Sequence, residues 1–92
     1  MFLRDLKRLT PAQQSQFNDR LRAFRTDLLA IETGRLTWFR TGLRVKKIRG
    51  VSDNWEMTWS PGGRATFAFG KPVVEGKIHI VWLRIGGHEI LP

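Results

Sequence analysis

The feature that most constrains this chain is a change of period at Gly34. Before it, apolar residues recur at helical spacing; after it, they alternate. Phe17, Leu21, Phe24, Leu28 and Ile31 are spaced four, three, four and three, which makes one narrow apolar stripe. Thr10 suits the N-cap of that helix, Pro11 suits its first position, and Gln13 completes a Thr-x-x-Gln capping box. Gly34 is the expected stop. Phe2, Leu3, Leu6 and Leu9 predict a short helix before Thr10. The first third of the chain therefore reads as an αα-hairpin.

The alternating part predicts four strands. Leu43–Arg49 is the first. Leu43 and Val45 share a face and Ile48 breaks the parity, so a bulge or strong twist is expected near Lys46 and Lys47. Trp55–Ser60 is the second, with Trp55, Met57 and Trp59 inward and Glu56, Thr58 and Ser60 outward. Pro61-Gly62-Gly63 is a tight turn. Arg64–Phe69 is the third, with Ala65, Phe67 and Phe69 on one face and Arg64, Thr66 and Ala68 on the other. A loop, Gly70–Gly76, leads to Ile78–Ile85. That last strand is nearly all apolar, so it is expected to be central or covered on both faces. Such short connections predict a mostly antiparallel sheet with the helices on one face. The fold class is α+β, in a single domain over residues 1–92.

Charge narrows the partner. The chain carries 16 Lys and Arg against 8 Asp and Glu, a net charge of +8, which favours an anionic partner. From Arg35 to Arg49 there are six basic residues and no acidic one. There is no cysteine, so disulfides, thiolate metal sites and thiol nucleophiles are excluded. No apolar run approaches the roughly 18 residues that span a bilayer. Charge at Arg4 and Asp5 comes too early for a signal peptide, so a cytoplasmic protein without membrane contact is expected. Two distant histidines and scattered carboxylates lack metal-ligand clustering. No metal and no cofactor are expected.

By strand parity, Glu56, Thr58, Arg64, Thr66, Ile80, Trp82 and Arg84 share one open face, with His88 just past the strand end. A carboxylate, two guanidiniums and an imidazole suit metal-free RNA cleavage. The ribose 2′-OH must lose a proton, the phosphate must be stabilised, and the leaving 5′ oxygen must gain a proton. Arginine clamps phosphate because its fork meets two oxygens at once. Histidine is the side-chain type that titrates near neutrality. Glu56 is the candidate base. Each residue also has a plain structural reading: Arg64 as a solvated strand-start charge, Glu56 as a cross-strand ion-pair partner, His88 as surface, His79 as a packed histidine. Arg84, in an apolar strand, calls for an anion, and Glu56 and Glu89 are the candidates. Trp55 and Trp59 read as core. Trp38 and Trp82 are the better candidates for exposed stacking on bases.

These segments resemble the RelE/ParE superfamily of bacterial type II toxins. The residues that carry the resemblance run from Leu43-Arg44-Val45-Lys46-Lys47-Ile48-Arg49-Gly50 through Trp55-Glu56-Met57-Thr58-Trp59 and Gly63-Arg64-Ala65-Thr66-Phe67 to Arg84-Ile85-Gly86-Gly87-His88-Glu89-Ile90. The order of elements is similar too: a helical hairpin, an antiparallel sheet, then a short tail bearing catalytic side chains. The resemblance implies a ribosome-dependent mRNA endonuclease neutralised by a cognate antitoxin protein. It implies that Arg64 contacts the scissile phosphate, that His88 is the acid or a phosphate ligand, and that Lys46, Lys47 and Arg49 face ribosomal RNA. The residues themselves add Arg84 as a second phosphate holder, His88 as the general acid, and Arg44 and Trp82 as RNA contacts. Glu56 and Thr58 stand where RelE carries lysines, and there is no tyrosine, so the implied scheme is a YoeB-like acid/base one. The strand that usually precedes the hairpin is missing. Either the sheet has four strands with an open edge, or the natural start lies upstream. The same resemblance admits a ParE-like inhibitor of DNA gyrase and a non-catalytic relative that binds RNA or an acidic protein.

Overall fold

A computed structural model describes residues 1–50 and 53–91. Helix α1 is Phe2–Arg8 and helix α2 is Pro11–Glu32. The expected capping box is present at Thr10: its hydroxyl accepts from Gln13 N, and the Gln13 side chain accepts from Thr10 N. A 3₁₀ turn, Thr41–Leu43, precedes strands β1 (Lys46–Lys47), β2 (Trp55–Ser60), β3 (Gly63–Gly70) and β4 (His79–Gly86). A second 3₁₀ turn, His88–Ile90, follows. The four strands form one antiparallel meander in the order β1-β2-β3-β4. The expected α+β class, two helices and a four-stranded antiparallel sheet, is the one observed.

The core lies between the helices and one face of the sheet. Phe17 and Phe24 from α2 meet Met57, Trp59, Ala65, Phe67 and Ile85, all buried. Phe24 is the hub, stacked on Phe39 at 4.6 Å, edge-to-face with Phe67 at 5.3 Å and tilted against Trp82 at 5.1 Å. Phe2 of α1 closes the cluster against Phe17 and Trp82.

Three expectations about the sheet are corrected. The first strand is two residues rather than Leu43–Arg49. Chain 40–43 follows helix α2 instead of the sheet, because α2 holds it. Asp27 accepts hydrogen bonds from Arg40 N, Nε and Nη2 at 2.8–2.9 Å, and Arg20 Nη2 donates to Gly42 O at 2.8 Å. Leu43 is then fully buried, and Arg44 turns the chain in the left-handed region (φ 49°, ψ 46°) before pairing can begin. The irregularity thus falls at Arg44, ahead of Lys46 and Lys47.

Strand β4 is an edge strand rather than a central one. Helix α1 covers part of it, which accounts for its apolar residues. Its parity is also broken, by a register shift between Thr66 and Phe67. Phe67 pairs with Trp82 while Thr66 pairs with Arg84, so Leu83 is the extra residue. The shift sends Trp82 to the core cluster, together with Ile80. Trp82 is therefore not the exposed stacking residue expected of it. Trp38 is exposed, at 42%.

Glu56, expected outward, does lie on the face opposite Met57, yet it is buried at 5% exposure. No helix among the described residues is long and apolar enough to cross a membrane.

Candidate functional site

Glu56 is where the sheet gathers charge. Its register partners are Lys46 in β1 and Thr66 in β3, so cross-strand pairing surrounds the carboxylate with neighbours. Lys46 Nζ and Arg64 Nε both lie 3.7 Å from Glu56 Oε1. A buried carboxylate needs such partners, since an unpaired charge at this depth is costly. Arg64 is itself largely enclosed, with its side chain 13% exposed. It is anchored by the turn it follows: Nη1 donates to Gly63 O at 2.8 Å, Pro61 O at 3.3 Å and Ser60 O at 3.4 Å. This arginine is held in place, unlike a solvated strand-start charge.

Arg64 also borders a cleft of about 680 Å³ between α2 and the β2–β3 turn. Arg20 and Arg44 stand in the same lining, with the Thr58 side of β2, Trp59 and Ser60. Arg64 and Arg44, both expected to meet an anion, line one cavity. Arg20 was missed by sequence reasoning. Its signal was there: Arg20 sits three residues after Phe17 and four before Phe24, on the margin of the buried stripe. Asp27 repeats that position one heptad later and likewise reaches the 40–43 segment.

Arg84 goes elsewhere. Neither Glu56 nor Glu89 is its hydrogen-bonded partner. Nε and Nη2 both donate to Asp5 of α1, at 2.6 and 3.1 Å. Asp5, 4% exposed, also accepts from Ile85 N at 3.2 Å. Asp5 too had a signal, as a carboxylate inside the Phe2–Leu6–Leu9 stripe. A second cleft, about 510 Å³, lies on this side of Trp59 and is bordered by Asp5, Arg8, Arg84 and Glu89. Its charges are mostly spent on one another: Arg84 on Asp5, and Glu89 on Gly87 N at 3.0 Å.

His88 is exposed at the head of the second 3₁₀ turn. Gly86, two residues before it, pairs directly with Arg64, and Gly87 lies against Gly62 O. The register thus carries His88 to the Arg64 end of the sheet, with no hydrogen bond tying the imidazole among the described residues. Lys47 and Arg49 are exposed along the β1 edge. His79 reads as packed: its Nδ1 lies 2.9 Å from Lys71 O. Among the described residues, no three His, Asp or Glu side chains converge as a metal-ligand set.

The ion pairs set an acid limit. Hydrogen bonding to Arg84 holds the Asp5 carboxyl below the ordinary carboxylate range, against the opposing effect of burial; Arg40 does the same for Asp27. A carboxyl whose pKa is lower folded than unfolded adds stability above the unfolded value and loses it as pH falls through the folded one. Thermal unfolding followed from neutral to acid pH is therefore expected to show a falling midpoint at and below the ordinary carboxylate range. Asp5→Asn is expected to flatten that dependence and to start from a lower midpoint. An unchanged pH profile in Asp5→Asn would show that the pair contributes nothing.

No protein-family model, curated protein or solved structure matches this chain.

Proposed function

We propose that this chain is the toxin of a type II toxin–antitoxin pair, of the RelE/ParE superfamily. On this reading it is a metal-independent endoribonuclease that cuts mRNA on the ribosome and is silenced by a cognate antitoxin. The observation that carries the proposal is the position of Arg64. Its guanidinium lies between a buried carboxylate, Glu56, and a cleft that two further arginines border. A base and a phosphate clamp side by side are the parts that attack by a ribose 2′-OH requires. The motif resemblance and the net charge of +8 support the same ligand.

The chemistry follows from those parts. Glu56 accepts the 2′-OH proton as the 2′ oxygen attacks phosphorus. Arg64 neutralises the charge that builds on the non-bridging oxygens. The bond to the 5′ oxygen breaks, and His88 in its charged form gives that oxygen a proton. The products are a 2′,3′-cyclic phosphate and a 5′-OH. Arg84 takes no part in this scheme, because Asp5 occupies its donors. Lys46 holds Glu56, while Arg44, Lys47 and Arg49 dock the RNA backbone.

The test is cleavage of a message on programmed ribosomes, with growth arrest read in parallel. The parent is expected to leave cyclic phosphate and 5′-OH ends. Glu56→Gln and His88→Gln are each expected to slow cleavage by about a hundredfold or more. Full activity in both variants would refute the nuclease reading. Stalled gyrase supercoiling with intact mRNA would replace it with the ParE-like one.

A further inference from the structure

We infer that the cleft bordered by Arg64 holds more than the scissile phosphate: Arg20 and Arg44 there bind a neighbouring phosphodiester of single-stranded RNA, next to the bond that Arg64 attends. The identity of the ligand as RNA rests on the reading above; the site itself rests on four observations.

First, three guanidiniums from three different elements meet in one cavity: Arg20 from α2, Arg44 from the turn before β1, and Arg64 from β3. Like charges gathered this way repel unless an anion joins them. Glu56, behind the lining, lies 3.7 Å from Arg64, and Asp19, within it, lies 3.6 Å from Arg22 in an exposed pair, so Arg20 and Arg44 have no carboxylate partner among the described residues. Second, Arg44 occupies the left-handed region, where a residue with a Cβ is disfavoured by about 1 kcal/mol or more and glycine is the cheap choice. A solvent-exposed arginine held in that conformation has no packing to account for it. The strained turn does bring its side chain to the cleft.

Third, Arg20 is pre-set. One guanidinium nitrogen is fixed on Gly42 O at 2.8 Å, and among the described residues its other nitrogens have no protein acceptor. Fourth, Thr58 and Ser60 add hydroxyl-bearing side chains to the same lining. A non-bridging phosphate oxygen fits this donor set.

The neighbouring cleft supplies the contrast. It is of similar size and holds two arginines, but Arg84 is paired with Asp5 and two carboxylates, Asp5 and Glu89, share the lining. In the arginine cleft, among the described residues, Arg44 has no side-chain partner and Arg20 keeps guanidinium nitrogens free of protein acceptors.

The test measures binding of a short labelled single-stranded oligouridylate to the intact chain across a salt series. Arg44→Gly removes one guanidinium at a position that favours glycine, so the fold is expected to survive, with an unfolding midpoint at or above the parent's. Affinity at low salt is expected to fall about tenfold, and the slope of log affinity against log salt is expected to shallow by about 0.7. Arg20→Gln is expected to match it. Lys77→Ala, which removes one exposed charge from the loop before β4, is the control and is expected to change binding by less than about twofold. If Arg44→Gly and Arg20→Gln lose no more than Lys77→Ala, the site does not exist and the charge acts diffusely. His88→Gln separates this inference from the proposed function, since it is expected to slow cleavage by about a hundredfold or more while its affinity stays within about twofold of the parent's. A parent that binds through these arginines but cuts no RNA would keep the site and remove the nuclease.

Discussion

Arg64→Ala is expected to lower mRNA cleavage by about a hundredfold to a thousandfold, the usual cost of removing one preorganised donor from a developing oxyanion. The reason is its placement. Arg64 is fixed by three turn carbonyls, so its guanidinium needs no reorganisation when charge builds on the phosphate. The same substitution frees Glu56 from one of its two cations and leaves only Lys46, whose side chain is 70% exposed. Arg64→Lys is the sharper variant. It keeps the charge but loses the planar fork, and a lysine stem cannot cap the turn and face Glu56 at once. It is expected to recover less than a tenth of the parent rate. Single-turnover cleavage measures both, and rates within about threefold of the parent would show that Arg64 is only a turn cap.

Phe24→Ala is expected to destabilise the fold by about 3–5 kcal/mol. That is a large share of the roughly 5–15 kcal/mol that holds a domain together. Phe24 touches aromatic rings from three separate segments: Phe39 from the loop, Phe67 from β3 and Trp82 from β4. No one of them can move into the vacated space without leaving another. The damage also spreads to function. Phe39 precedes Arg40, and the Arg40–Asp27 bond helps to hold the segment that presents Arg44. Denaturant unfolding checks the size, and Phe24→Leu is expected to lose less than half as much. A loss below about 1 kcal/mol for alanine would move the centre of the core elsewhere.

Local rules made the helices and the two inner strands legible. The capping box marks the start of α2, and alternation from Trp55 to Ser60 matches β2 residue for residue. What stayed hidden was set by contacts between distant segments. Leu43–Arg49 alternates like a strand, but Asp27 and Arg20 pull its beginning onto α2. The extra residue in β4 has no local mark, and one position of slip is enough to exchange faces. Parity therefore put Trp82 on the wrong surface, while Arg84 keeps its register with Thr66 and turns to Asp5 of α1. The Glu56–Arg64 association was legible because both residues belong to regular, adjacent strands. The Arg84–Asp5 pair was not, because nothing near Arg84 in the chain points to residue 5. The proposed function stands on motif resemblance and charge, with the Glu56–Arg64 pair as its geometric support.

The Asp5–Arg84 contact joins residues 79 positions apart. Closing a flexible loop of that length in the unfolded chain costs about 4 kcal/mol beyond a constant. The β2–β3 hairpin closes over a two-residue turn and carries no such burden. Loop closure alone predicts that the local hairpins form first and that α1 docks last, once the sheet brings Arg84 within reach of Asp5. The ion pair is thus a latch and not a nucleus. A latch of this kind speeds nothing on the way in, and slows escape on the way out.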